Sequence, residues 1–223
     1  MQQLLAGYAT FRSKVFPQHS QLFAELAYDQ EPQALFITCC DSRVMPEMIL
    51  QCAPGQILCC RNAGNLVPPA EEVASGVAAS VEHAVCALRV PEIIVCGHSD
   101  CEAMRALLDD GALKDLPLVR SWLRHAGPMS HAFRGVMQDP RVWPVEERLR
   151  ALTELNVIAQ LRSLGAHPSV ARALKRGSVR IHGWVYEIPN GEIRCLDPAT
   201  GSFRPLLAKP QGIESTLLEL MTA

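Results

Sequence analysis

The chain has 223 residues, enough for one well-buried α/β domain or two small ones. Lys and Arg number 21 against 23 Asp and Glu, a net charge of −2, so the basic excess that nucleic-acid binding needs is missing. No apolar run approaches the roughly 20 residues of a membrane span, and the opening MQQLLAGYATFRSKVF sets Arg12 and Lys14 inside an amphipathic pattern, unlike a signal peptide. The cysteine count of nine is odd, and most lie in apolar stretches (Cys59, Cys60, Cys86 and Cys96 are examples). They are expected to behave as small buried hydrophobes in a reducing cytoplasm rather than as a disulfide framework.

In chain order, apolar residues at helical spacing predict one or two amphipathic helices over 4–27, broken near Pro17. ALFITC (34–39) has the composition of a parallel strand buried on both faces, and QILCC (56–60), after the turn-like Pro54-Gly55, is a second. A helix rich in small residues is predicted over 71–88, then a third strand, EIIVCG (92–97). Helices follow at about 101–109, 116–126, 146–163 and 168–175, with a surface connection over the proline-containing 127–144. SVRIHGWVYEI (178–188) and EIRCLD (192–197) read as two strands joined by a tight hairpin at Asn190-Gly191. The pattern predicts an α/β fold: a mostly parallel central sheet with an antiparallel edge strand, flanked by helices. No linker divides it. A single domain over 1–223 is expected, with a helical arm (1–30), an α/β core (31–200) and a tail (201–223).

The chemistry concentrates where strands end. FITCCDSRV (36–44) closes the first strand, and CGHSDC (96–101) closes the third with His98 and Cys101 at H-x-x-C spacing. Ligand sites in open α/β sheets form at the carboxyl ends of strands, where neighbouring parallel strands would bring Cys39 near His98. Two thiolates and an imidazole form a soft, zinc-selective set, and three protein ligands leave the open fourth position of a catalytic site. Taken singly, each residue is better read as a helix cap or a core residue. Asp41 and Arg43 add an ionic pair in the same turn.

Together, C-x-D-S-R (39–43) and H-x-x-C resemble the β-class carbonic anhydrases, in particular the plant-type branch that includes bacterial members linked to cyanate metabolism. The resemblance extends through RNAGNLVPP (61–69), VEHAV (81–85), GHSDCEAM (97–104), NVIAQL (156–161) and HGWVYEI (182–188), nearly the whole chain. It implies Zn2+ held by Cys39, His98 and Cys101, with Cys40 a buried neighbour. The implied reaction is the reversible hydration of CO2 to bicarbonate and a proton by zinc-activated water. Asp41 is the implied acceptor for that water, and Arg43 the residue that pins Asp41. Gln30 is implied as a substrate-orienting amide, Leu58 and Ala63 as an apolar wall, and Arg61 and Asn62 as organisers of their loop. The resemblance also implies a homodimer or higher oligomer, with the N-terminal helices packing on a partner chain.

The chain departs from the family pattern at Glu102, where glycine is usual, and at His83, where tyrosine is usual. Glu102 is expected to sit favourably in the first turn of a helix, with crowding of the zinc site as the alternative. His83 is expected to fill the tyrosine's space, with a proton shuttle as the alternative. Phe36 stands where the family's bicarbonate-inhibited members carry tryptophan, so that inhibitory site is expected to be absent. Competing functions are hydrolysis of COS or CS2 on the same zinc site and a non-catalytic zinc protein serving assembly, as in a carboxysome-like or operon-encoded complex.

Overall fold

The computed structural model describes residues 1–70, 75–109, 111–126 and 142–207. Residues 71–74, most of the expected 127–144 connection and the end of the tail lie outside the described residues. At the centre is a six-stranded sheet: β1 (Ala34–Cys39), β2 (Ile57–Asn62), β3 (Glu92–His98), β4 (Arg180–Tyr186), β5 (Ile193–Asp197) and β6 (Ser202–Pro205). Their spatial order is β2-β1-β3-β4-β5-β6. The first four are parallel, and β5 and β6 are antiparallel.

The sequence explains most of this. β1 is buried along its whole length, as a β-branched and aromatic run between two parallel neighbours should be. Leu35, Phe36 and Ile37 are almost completely covered, each such side chain stabilising by about 1.5–3 kcal/mol. The hairpin after β4 is less tight than expected. Glu187 and Glu192 still pair through a 2.8 Å N–H···O bond, so 188–191 form the loop, with Gly191 at φ 74°. Ser202–Pro205, expected in the tail, adds a second antiparallel edge strand. Its four residues carry little apolar pattern of their own; pairing with β5 makes the strand.

The helices are α1 (Gln2–Thr10), α2 (Ser20–Leu26), α3 (Pro46–Ile49), α4 (Gly76–Glu82), α5 (Glu102–Leu108), α6 (Pro117–Leu123), α7 (Val145–Ala166) and α8 (Pro168–Lys175). α1 runs on as a π turn over Phe11–Val15, then a 3-10 turn at Phe16–His19 containing the expected break, Pro17. α4 also continues as a π turn, His83–Ala87. Proline starts α3, although four residues gave no periodic signal. Among the described residues no helix is long and apolar enough to cross a membrane.

α4, α7 and α8 cover one face of the sheet, burying Leu35, Ile37, Ile93, Val95 and Val185 against Val81, Val157, Leu164 and Val170. α7 lies unusually close. A Cβ on Gly183 would stand 2.7 Å from Leu161 and 2.9 Å from Val157, and one on Gly97 3.0 Å from Thr153 and Val157. Glycine at both positions lets the helix rest on β3 and β4.

Cysteine burial is more varied than expected. Cys39, Cys96 and Cys101 are buried and Cys59 and Cys60 half-buried, but Cys40 and Cys86 are exposed. Cys40 follows the last residue of β1 and turns outward, so it is not a buried neighbour. All nine cysteines are free.

Candidate metal centre and active site

β1 is followed in sequence by its neighbour on one side, β2, while β3 lies on its other side. The topological switch point therefore falls between β1 and β3, where a crevice opens beyond the carboxyl ends of the strands. Cys39 ends β1, His98 ends β3, and Cys101 precedes α5. The three buried side chains present ligand atoms within 4.8 Å of one another.

Their chemistry fits a metal ion. The two Sγ atoms are 4.0 Å apart, close to the ~3.8 Å expected for two thiolates at the tetrahedral angle with bonds of ~2.3 Å. His98 Nδ1 lies 2.8 Å from the Ser99 carbonyl oxygen, to which its N–H donates, leaving the Nε2 lone pair free. Nε2 is buried and has no hydrogen-bond partner. A buried nitrogen without a partner is costly, and a cation facing the thiols would satisfy it. Cys39 is held as a thiolate, its pKa lowered to about 4, first by the hydrogen bond shared with Cys101 and then, against burial, by the backbone N–H groups of Gly64 and Asp41. Cys101 is pushed up by the same shared bond and by burial. Without a cation the pair shares one proton; a divalent ion would replace it.

The loop after β2 supports Cys39. Gly64, at φ 79°, donates its N–H to Cys39 Sγ over 3.4 Å. A side chain there would be strained and would meet Met104 at 3.1 Å and Ala103 at 3.2 Å. Arg61 Nε donates to the Cys39 carbonyl at 3.2 Å and Nη2 to the Asp41 carbonyl at 2.7 Å, while Asn62 clasps the backbone of Leu66. Both organise the loop.

Asp41 faces the cluster, its Oδ2 3.9 Å from His98 Nε2. Arg43 grips the same carboxylate with Nε at 3.0 Å and Nη2 at 2.8 Å, and its backbone N–H adds a third bond of 2.9 Å. These bonds hold the Asp41 pKa at about 2, so the carboxylate is ionised and acts only as an acceptor.

The other expected site residues scatter. Ala63 is half-buried beside Gly64, and its carbonyl accepts from Trp122 Nε1 at 2.8 Å. Leu58 packs on the core and pairs with Leu35, four residues before Asn62 and Cys39, or ~13 Å back along the strands. Gln30 is exposed before the amino end of β1, whereas the cluster lies beyond its carboxyl end. Glu102 is exposed in the first turn of α5, and no described hydrogen bond ties it to the cluster. His83 is exposed as well, so within this chain it fills no buried space.

Two sets of residues escaped the sequence reading. Asp100 contacts Arg43 from the β3 side. From α7, Asn156 donates to the Gly64 carbonyl at 2.9 Å, Gln160 accepts from Val67 N–H at 2.8 Å and Ser163 donates to the Val67 carbonyl at 2.7 Å. His167, following the helix, meets the Pro68 carbonyl at 2.9 Å. Their i, i+4, i+7, i+11 spacing was a signal: a polar stripe on a helix that otherwise faces a core.

Comparisons with known proteins identify the family. The family model described as "Carbonic anhydrase" matches residues 34–193. A carbonic anhydrase of Pseudomonas aeruginosa is 46% identical over 211 residues, covering 95% of this chain and 94% of that protein. The solved structure of the β-carbonic anhydrase CcaA superimposes with a TM-score of 0.87 at 37% identity, covering 92% of this chain and 98% of that one. One of two tetrameric β-carbonic anhydrases from Sordaria macrospora gives a TM-score of 0.77 at 27% identity, over 91% of this chain and 98% of that one. The strand-end cluster and these relatives lead to one conclusion: the chain belongs to the β-class carbonic anhydrases, enzymes that interconvert carbon dioxide and bicarbonate.

Proposed function

We propose that this carbonic anhydrase is a zinc enzyme whose ion is held by Cys39, His98 and Cys101, and that Asp41 and Arg43 complete the active site. The observation that carries this is the buried, unpartnered His98 Nε2 facing two thiols. Two sulfurs and an imidazole favour zinc over harder divalent ions, and the missing fourth protein ligand leaves room for chemistry. When bound, zinc supplies a Lewis acid that lets water ionise near neutral pH.

The chain's own residues then orient and exclude. The Asp41 carboxylate accepts a hydrogen bond from water at the open position and so aims its lone pair at carbon dioxide. Arg43 keeps that carboxylate ionised and occupied, which holds it off the open position. The Ala63 methyl group offers part of an apolar wall. Gln30 and Leu58 lie remote from the chain's own cluster, so their substrate-binding roles require that a second copy receive them across an interface. The exposed N-terminal arm and the tetrameric relatives support such an assembly. Nine free cysteines support a reducing, cytoplasmic location.

The test is metal analysis with stopped-flow CO2 hydration. Cys39→Ser should lose both zinc and activity, while Cys40→Ser should keep about one zinc per chain and full turnover. Full zinc occupancy in Cys39→Ser would refute the ligand set.

A further inference from the structure

Arg43 is exposed over 42% of its side chain, yet the Asp41 pairing needs its guanidinium in one place. A flexible arginine in solvent has many rotamers, and its pairing with Asp41, two residues away, fixes only one edge of the fork. The end of the fork, Nη1 and Nη2, is held from the turn after β3. Arg43 Nη2 donates to the Asp100 backbone carbonyl at 3.0 Å, and Nη1 to the Asp100 carboxylate at 3.3 Å. Asp100 has φ 53°, a left-handed backbone that aspartate tolerates better than most side chains. Its other carboxylate oxygen is taken by Arg105, in α5. Asp100 is therefore fixed by its own turn and by Arg105, and it presents two acceptors to Arg43.

We propose that Asp100 is a positioning residue for carbon dioxide hydration: it fixes the outer edge of the Arg43 guanidinium, and through Arg43 it keeps the Asp41 carboxylate in the conformation seen here. It touches neither substrate nor metal. The proposal rests on the role given above to Asp41 and Arg43. It extends that role across the switch point, so that the turn after β1 and the turn after β3 are tied together by one guanidinium.

The test uses three variants of the zinc-loaded protein. Asp100→Gly keeps the left-handed turn and the carbonyl but removes the carboxylate; it should lower kcat/KM about two- to fivefold, the range of an exposed ion pair. Asp100→Ala also disfavours the turn and should cost more, about tenfold. In an Arg43→Ala background Asp100→Gly should cost nothing further, because its only route to the reaction is gone. A readout independent of turnover is hydrogen exchange at Arg43 Nε–H, followed by NMR in 15N-labelled protein, which Asp100→Gly should speed about threefold or more. Equal losses from Asp100→Gly with and without Arg43, unchanged exchange, or loss of zinc in Asp100→Gly would each overturn the proposal. Wild-type turnover in Arg43→Ala would instead overturn the underlying role of Arg43, a distinguishable result.

Discussion

Asp41 shows how a few bonds decide the state of one residue. Arg43 supplies three hydrogen bonds to its carboxylate, and the acid has no proton to give at neutral pH. Asp41→Ala and Arg43→Ala should each lower turnover by about ten- to a hundredfold at an unchanged zinc content, since neither belongs to the proposed ligand set. Metal analysis beside stopped-flow rates checks this. At the amino end of the sheet, Glu92 meets His182 Nε2 at 2.7 Å and also Arg180. Burial raises its carboxyl pKa, but the two bases outweigh burial and the net direction is down. A carboxyl lowered on folding contributes stability that is complete above its unfolded pKa of about 4.3 and is lost as pH falls through the lower folded value. Melting curves of metal-free protein between pH 6 and 3 should therefore fall less steeply for Glu92→Gln than for the parent chain.

Among the elements, α7 does two jobs. Its apolar residues cover β3 and β4, and its polar stripe grips the loop whose Gly64 supports Cys39. The two should separate on mutation. Gly183→Ala forces Leu161 and Val157 outward and should cost about 1–3 kcal/mol in denaturant unfolding, with kcat/KM of the folded fraction little changed. Asn156→Ala leaves the Gly64 carbonyl buried without a donor, which should cost about 1–3 kcal/mol and also weaken zinc retention against a chelator. Zinc loss at equal rates in both variants would show that α7 supports the site only through general stability.

The N-terminal arm belongs to the scale of the whole molecule. No residue of α1 or α2 is buried, and Leu4, Leu5 and Tyr8 are 72%, 58% and 62% exposed. Phe11, Phe16 and Phe23 pack on one another at ring separations of 5.3 to 6.2 Å, so the arm is folded on itself yet leaves an apolar face outward. We propose that a second copy of the chain covers this face. Light scattering at micromolar concentration should give a dimer or larger species, and Leu4→Glu with Tyr8→Glu should shift it toward monomer and reduce activity. A fully active monomer would remove the arm from the function.

The sequence alone determined what short-range patterns can carry. Doubly buried parallel strands show as ALFITC and EIIVCG, because burial on both faces leaves no polar alternation to mask them. The motifs at 39–43 and 98–101 pointed to Cys39, His98 and Cys101, which the fold brings within 4.8 Å of one another, because their resemblance to a family signature restricts both residue type and spacing. Tertiary structure decided what depends on distant chain segments meeting. β6 exists because β5 offers it an edge, and Cys40 faces solvent because the chain turns after β1. The grip of Asp100 on Arg43 and that of α7 on Gly64 cross 57 and 92 residues of chain. Polar side chains of this kind look like surface residues until the fold buries them or places their partners beside them. The separation of Gln30 from the cluster, by contrast, follows from the predicted strand 34–39, which Gln30 precedes and Cys39 ends; that of Leu58 needed the strand register, which pairs it with Leu35.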